Sequence, residues 1–98
     1  MELTGTQRKR LRGLAHSLKP VVQVGQQGLS DPVVEEVGRA LERHELVKVK
    51  IAGERDDRRA LAAELARRLD AALAGTLGTT AILYRRHPDP AARKIALA

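Results

Sequence analysis

Ninety-eight residues, 43% of them apolar and none of them cysteine, suit one small domain, residues 1–98, and exclude a disulfide frame, a thiolate nucleophile and a zinc knuckle. Eighteen Lys and Arg against twelve Asp and Glu give a net charge of +6, which points to a polyanion or an acidic membrane surface as partner. Met1-Glu2-Leu3-Thr4 opens no apolar signal region and no run reaches the length of a membrane span, so the expectation is a soluble, cytoplasmic chain.

The charge is unevenly laid out. Residues 1–20 carry five bases and one acid, residues 21–45 two bases and five acids, and residues 46–98 eleven bases and six acids. A basic side is thereby separable from an acidic one. With no Phe, no Trp and a single Tyr84, the core must be built from Leu, Val, Ile and Ala.

In chain order, Thr4 and Gln7 form a capping-box pattern ahead of Leu11, Leu14 and Leu18, which recur at helical spacing. Arg8, Lys9 and Arg12 fall together on another side of this amphipathic helix, which should end near His16, since Lys19 precedes Pro20. Val21, Val22 and Val24 read as a first strand closed by Gly25. Ser30-Asp31-Pro32 then starts a second helix, its inner stripe Val33, Val34, Val37, Ala40, Leu41 and His44, its acidic side outward.

Leu46 to Ile51 alternates, with Val47, Val49 and Ile51 on one face and Lys48 and Lys50 on the other, as in a strand buried on one side. Gly53 ends it. A third helix is expected from Asp56 or Asp57, with Leu61, Ala62, Leu65, Leu69 and Leu73 inward. Two short strands should flank Leu77-Gly78; the first, Ala72 to Thr76, has weak strand propensity, and the second runs from Thr80 to Arg85. His87 to Pro90 forms a rigid loop before a terminal extension. The fold class is α/β (α+β), two-layer: a helix, then β-α-β-α-β-β with a four-stranded mixed sheet, since right-handed crossovers make the first three strands parallel.

The loop Gly25-Gln26-Gln27-Gly28, between a strand and a helix start, offers backbone N–H groups and no bulky side chains, an arrangement that accepts phosphate. It is neither a P-loop nor a dinucleotide-binding turn, and alone it reads as a turn. In a small basic domain it matches the way KH modules clamp a nucleic-acid backbone, whereas recognition by stacking needs aromatics this chain lacks.

The stretch from Gly13 to Ile51, GLAHSLKPVVQVGQQGLSDPVVEEVGRALERHELVKVKI, together with AILYRR and RKIAL, resembles the bacterial YhbY proteins, stand-alone forms of the CRM domain (chloroplast RNA splicing and ribosome maturation). The resemblance covers nearly the whole chain. It implies a fold like the C-terminal domain of translation initiation factor three, RNA binding, and association with precursors of the large ribosomal subunit. It departs around residues 71–80, where relatives carry a more β-branched strand.

The expected RNA contacts are Arg8, Lys9, Arg12, Lys19, Gly25, Gln26, Gln27, Gly28, Lys48 and Lys50, on a non-enzymatic monomer that needs no cofactor. Against these stand blander readings: a solvated helix face for the arginines and an edge guard for the strand lysines. Arg85 and Arg86 can extend the basic patch. His44 reads as a partly buried histidine, Tyr84 as a core or sheet residue, and His16, His44 and His87 form no metal-ligand pattern. The rival function is a basic module that docks an acidic protein partner; a nuclease or hydrolase lacks any arrangement of acid, base and nucleophile.

Overall fold

In the computed structural model, which describes residues 2–25 and 27–97, the chain forms α1 (Gly5–Ala15), β1 (Pro20–Val24), α2 (Asp31–His44), β2 (Leu46–Ile51), α3 (Arg55–Arg68), β3 (Ala72–Leu77) and β4 (Thr80–Tyr84). The order across the sheet is β1-β2-β4-β3, with β1 and β2 parallel and β4 antiparallel to both its neighbours. β3 and β2 therefore run in the same direction, as crossover handedness requires.

Local signals set most boundaries. Thr4 and Gln7 close the capping box of α1, and Ser30 caps α2 ahead of Pro32. α3 begins one residue earlier than Asp56, at Arg55, with Glu54 as a cap that makes no side-chain hydrogen bond. It also stops earlier than the leucine spacing suggested: Leu73 lies in β3, because Asp70 turns the chain at φ 52. β3 forms despite its small residues, with a register shift between Leu73 and Gly75.

Strand alternation sorts the core into two clusters on opposite faces. On one face, α2 and α3 bring Val37, Leu41 and Leu65 onto Val49, Ile51 and Leu83. On the other, Leu11 and Ala15 of α1 cover Leu46, Ala72, Ile82 and Tyr84, with Leu3, Ile95 and Leu97 closing the margin. The two-layer frame of α2, α3 and sheet thus gains a partial cover from α1. Tyr84 is fully buried in that second cluster, and its hydroxyl has no hydrogen-bond partner among the described residues.

The C-terminal extension adds no strand among the described residues; it is gathered around Glu45. That residue links α2 to β2 at φ 63 and is 1% exposed. Its carboxylate accepts from the backbone N–H of His87 at 2.7 Å, of Ile95 at 3.0 Å and of Lys94. Burial pushes its carboxyl upward, but these three donors, helped by the His87 side chain, outweigh burial and hold it below the ordinary glutamate value. Arg85, expected on the basic surface, instead donates to the Leu69 and Gly38 carbonyls at 2.8 and 3.2 Å, tying α2 and α3 to β4.

The connections divide by end of the sheet. Gly28, Gly53 and Gly78, all with positive φ, lie in the connections that follow β1, β2 and β3 at one end, and Glu45 and Asp70, also with positive φ, lie in those that precede β2 and β3 at the other.

Candidate nucleic-acid interface

The two loop glycines exist for different reasons. Gly28 has φ 84, which an L side chain rarely adopts, and its N–H donates to the Gly25 carbonyl at 3.1 Å to close the turn. At Gly25 the backbone is ordinary and an added Cβ would meet nothing within 4 Å. The fold demands the second glycine and only tolerates the first, so Gly25 leaves bare backbone facing solvent. Gln27 is exposed; Gln26 lies outside the described residues.

From the loop the chain leans on α3. Gly28 lies beside Leu61, and Asp31, in the first turn of α2, pairs with Arg68 at 3.1 Å. The cleft between Gly28 and α3 is lined by Gly53, Glu54, Asp57 and Ala60. Its two carboxylates repel phosphate, so an anion is directed to the Gly25 side of the loop.

That side continues into the sheet. Cross-strand partners share a face, and the pairs Gln23–Lys50, Lys50–Thr80 and Thr80–Leu77 make one row across all four strands. It lies on the α1 face, beyond the area that α1 covers: Gln23, Lys50 and Leu77 are exposed and Thr80 is half-buried. In the next row on that face, Pro20–Lys48–Ile82–Gly75, Ile82 is buried and Lys48 and Gly75 are half-buried, while Pro20 at the sheet edge is exposed. Lys48 there donates from Nζ to the Leu18 carbonyl at 3.1 Å, and Arg12 lies over Gly75 with Nη1 3.4 Å from the Ala74 carbonyl.

The structure thus sets Gly25 just beyond the β1 end of the open row and Lys50 within that row, with Lys48 and Arg12 bordering it, while Gly28 lies against α3. Arg8 and Lys9 are exposed on α1. Lys19 does not join them: it precedes β1 while Gly25 follows it, a span of about 20 Å at ~3.3 Å per residue. It lines an apolar groove with Leu14, Leu18, Val21 and His44 instead. His44, expected to be partly buried, is exposed at the last residue of α2.

Gln23 and Thr80 were missed from sequence, since only cross-strand register places them beside Lys50. Arg55, Arg58 and Arg59 were also missed, although RDDRR at a helix start was the signal available. Among the described residues no group of His, Asp and Glu is placed to hold a metal ion, and no helix is long and apolar enough to cross a membrane.

Comparison with known proteins supplies the family. The family model of the CRS1/YhbY (CRM) domain matches residues 3–85. A Pseudomonas aeruginosa protein named as a "Probable RNA-binding protein" is 46% identical, over 92% of this chain and 88% of its own length. A Haemophilus influenzae protein named "RNA-binding protein" is 42% identical over 85% of each chain. The solution structure of a Staphylococcus aureus protein superposes with a TM-score of 0.83 at 29% identity, covering 97% of this chain and all of the other.

Proposed function

The chain belongs to the CRS1/YhbY (CRM) domain family, and from that premise we propose that it is a non-enzymatic RNA-binding protein acting on ribosomal RNA of the large-subunit precursor during ribosome assembly. One observation carries the reading: the bare backbone at Gly25 opens directly onto an uncovered sheet row that contains Lys50. Relatives at 46% and 42% identity carry RNA-binding names.

The loop receives a phosphate at Gly25, with Gln26 and Gln27 donating to phosphate or sugar oxygens. Lys50 and Arg12 take the adjoining phosphates across the open row. Lys48, already held by the Leu18 carbonyl, adds charge beneath them, and Arg8, Lys9 and Lys19 attract the strand from farther out. With its one tyrosine buried and no Phe or Trp, the surface offers no Tyr, Phe or Trp ring for bases to stack on, which favours recognition of backbone and shape.

The test is an RNA titration at several salt concentrations, comparing wild type with Gly25→Asp. Wild-type affinity should fall with a log–log slope of about −0.7 for each phosphate neutralised on a single strand. Gly25→Asp should bind at least about tenfold more weakly while melting like wild type, because the new side chain meets only solvent and repels the phosphate. A salt-independent affinity, or equal binding by a folded Gly25→Asp, would overturn the reading. Sedimentation of extract with sequencing of crosslinked RNA tests the ribosomal assignment: crosslinks confined to messenger or transfer RNA would remove it.

A further inference from the structure

We propose that a second phosphate site, resting on the RNA-binding reading but separate from the glycine loop, lies between α3 and the β3–β4 turn. A cavity of about 300 Å³ opens there, lined by Arg55, Arg58, Arg59, Thr76, Thr79 and Thr80 over a floor that includes Ile51 and Ala81. No acidic side chain lines it. That size is at the low end for ligand pockets and suits one phosphodiester with part of its ribose.

Charge on α3 is sorted by face. At 100° per residue, Arg55, Arg58 and Arg59 share one stripe, while Asp57 and Glu54 line the cleft on the Gly28 side and Asp56 falls between. Like charges at this spacing oppose helix formation, so the stripe is a cost that a bound anion would reverse. Arg58 is fixed by a hydrogen bond from Nη1 to the Gly53 carbonyl at 2.6 Å. Among the described residues the Arg55 and Arg59 side chains make no hydrogen bond or ion pair, which leaves both forks free for phosphate oxygens. On the opposite wall Thr76, which shares the α3 face with its cross-strand partner Ala81, supplies a further hydroxyl donor.

The cavity sits at the same end of the sheet as the glycine loop. Ala52 N–H donates to the Val24 carbonyl at 2.9 Å and Ile51 N–H to the Thr79 carbonyl at 2.7 Å, joining the end of β1, the end of β2 and the turn. From β1 to β4 is two strand spacings, about 10 Å, or roughly three stacked nucleotides at ~3.4 Å each. One RNA strand crossing the sheet end meets Gly25 and then the arginines.

The experiment uses the full chain and a labelled RNA hairpin with a single-stranded tail. Three variants are titrated against salt: Arg55→Ala with Arg59→Ala, the equal charge loss Arg39→Ala with Arg43→Ala on exposed α2 positions, and Thr79→Glu, which puts a carboxylate at the cavity without altering α3. The first and third should bind several-fold more weakly and lose about 0.7–0.9 from the salt slope, one phosphate's share, while the α2 pair keeps the wild-type slope. Equal slope losses in the two arginine pairs would reduce the effect to net charge and overturn the site, as would an unchanged slope in Thr79→Glu. Failure of wild type to bind the hairpin would instead sink the RNA reading itself.

Discussion

At the scale of single residues, glycine and glutamate show how backbone conformation and function part company. Gly28→Ala places a Cβ at φ 84 and should cost about 1 kcal/mol of stability, read by urea denaturation. Gly25→Asp should cost almost none and act on RNA alone. Glu45 has the opposite character, a buried charge that serves the fold. Its folded pKa lies below the ordinary value of about 4.3, so its stabilisation is complete above that value and is lost as pH falls through the depressed one. Glu45→Gln should therefore be about 2 kcal/mol less stable than wild type near neutrality, because three charge-assisted hydrogen bonds become neutral or are lost. The difference should close as acidification passes through the depressed carboxyl value; a difference independent of pH would show that the charge is not what holds the tail.

At the scale of elements, α1 is the piece most dependent on its own sequence, since its core contacts come chiefly from Leu11 and Ala15. Thr4→Ala removes the capping box and should cost about 1 kcal/mol, lowering Tm by roughly 4–8 °C in a domain of this size, with amide exchange in α1 accelerated first. These elements were legible because their causes are local: the caps at Thr4 and Ser30, the alternation of Leu46 to Ile51, the proline at 32. The weak strand at Ala72 was harder to read because what makes it a strand is β4 beside it, not its own propensity. The sequence grouped the glycine loop, Lys50 and Lys19 as expected contacts and offered Arg85 for the basic patch, but it could not show that Lys19 stands at the other end of β1 or that Arg85 turns to carbonyls. Distance along a strand and a guanidinium's choice of carbonyl both depend on tertiary placement. The same holds for the arginines of α3, whose partners across the cavity are threonines some twenty residues later.

At the scale of the whole molecule, the family match ends at residue 85, yet Glu45 inside it is satisfied by N–H groups of residues 87, 94 and 95 outside it. Truncation after Arg86 should remove those donors and the Ile95 and Leu97 packing together, at a cost of about 3 kcal/mol or more in urea unfolding. In the truncated chain Glu45→Gln should change sign and become neutral or stabilising, since a buried carboxylate without donors is worse than an amide. The division of the positive-φ connections between the two ends has a further thermodynamic meaning. Glu45 precedes the six-residue β2 and Gly25 follows its parallel neighbour β1, so the two lie about 20 Å apart, farther than side-chain substitutions ordinarily couple. Combining Glu45→Gln with Gly25→Asp should therefore give stability and RNA affinity changes that sum to within about 0.5 kcal/mol of the single variants. On the proposed reading, residues at the glycine end can be altered for RNA contact without disturbing the fold that the glutamate end holds.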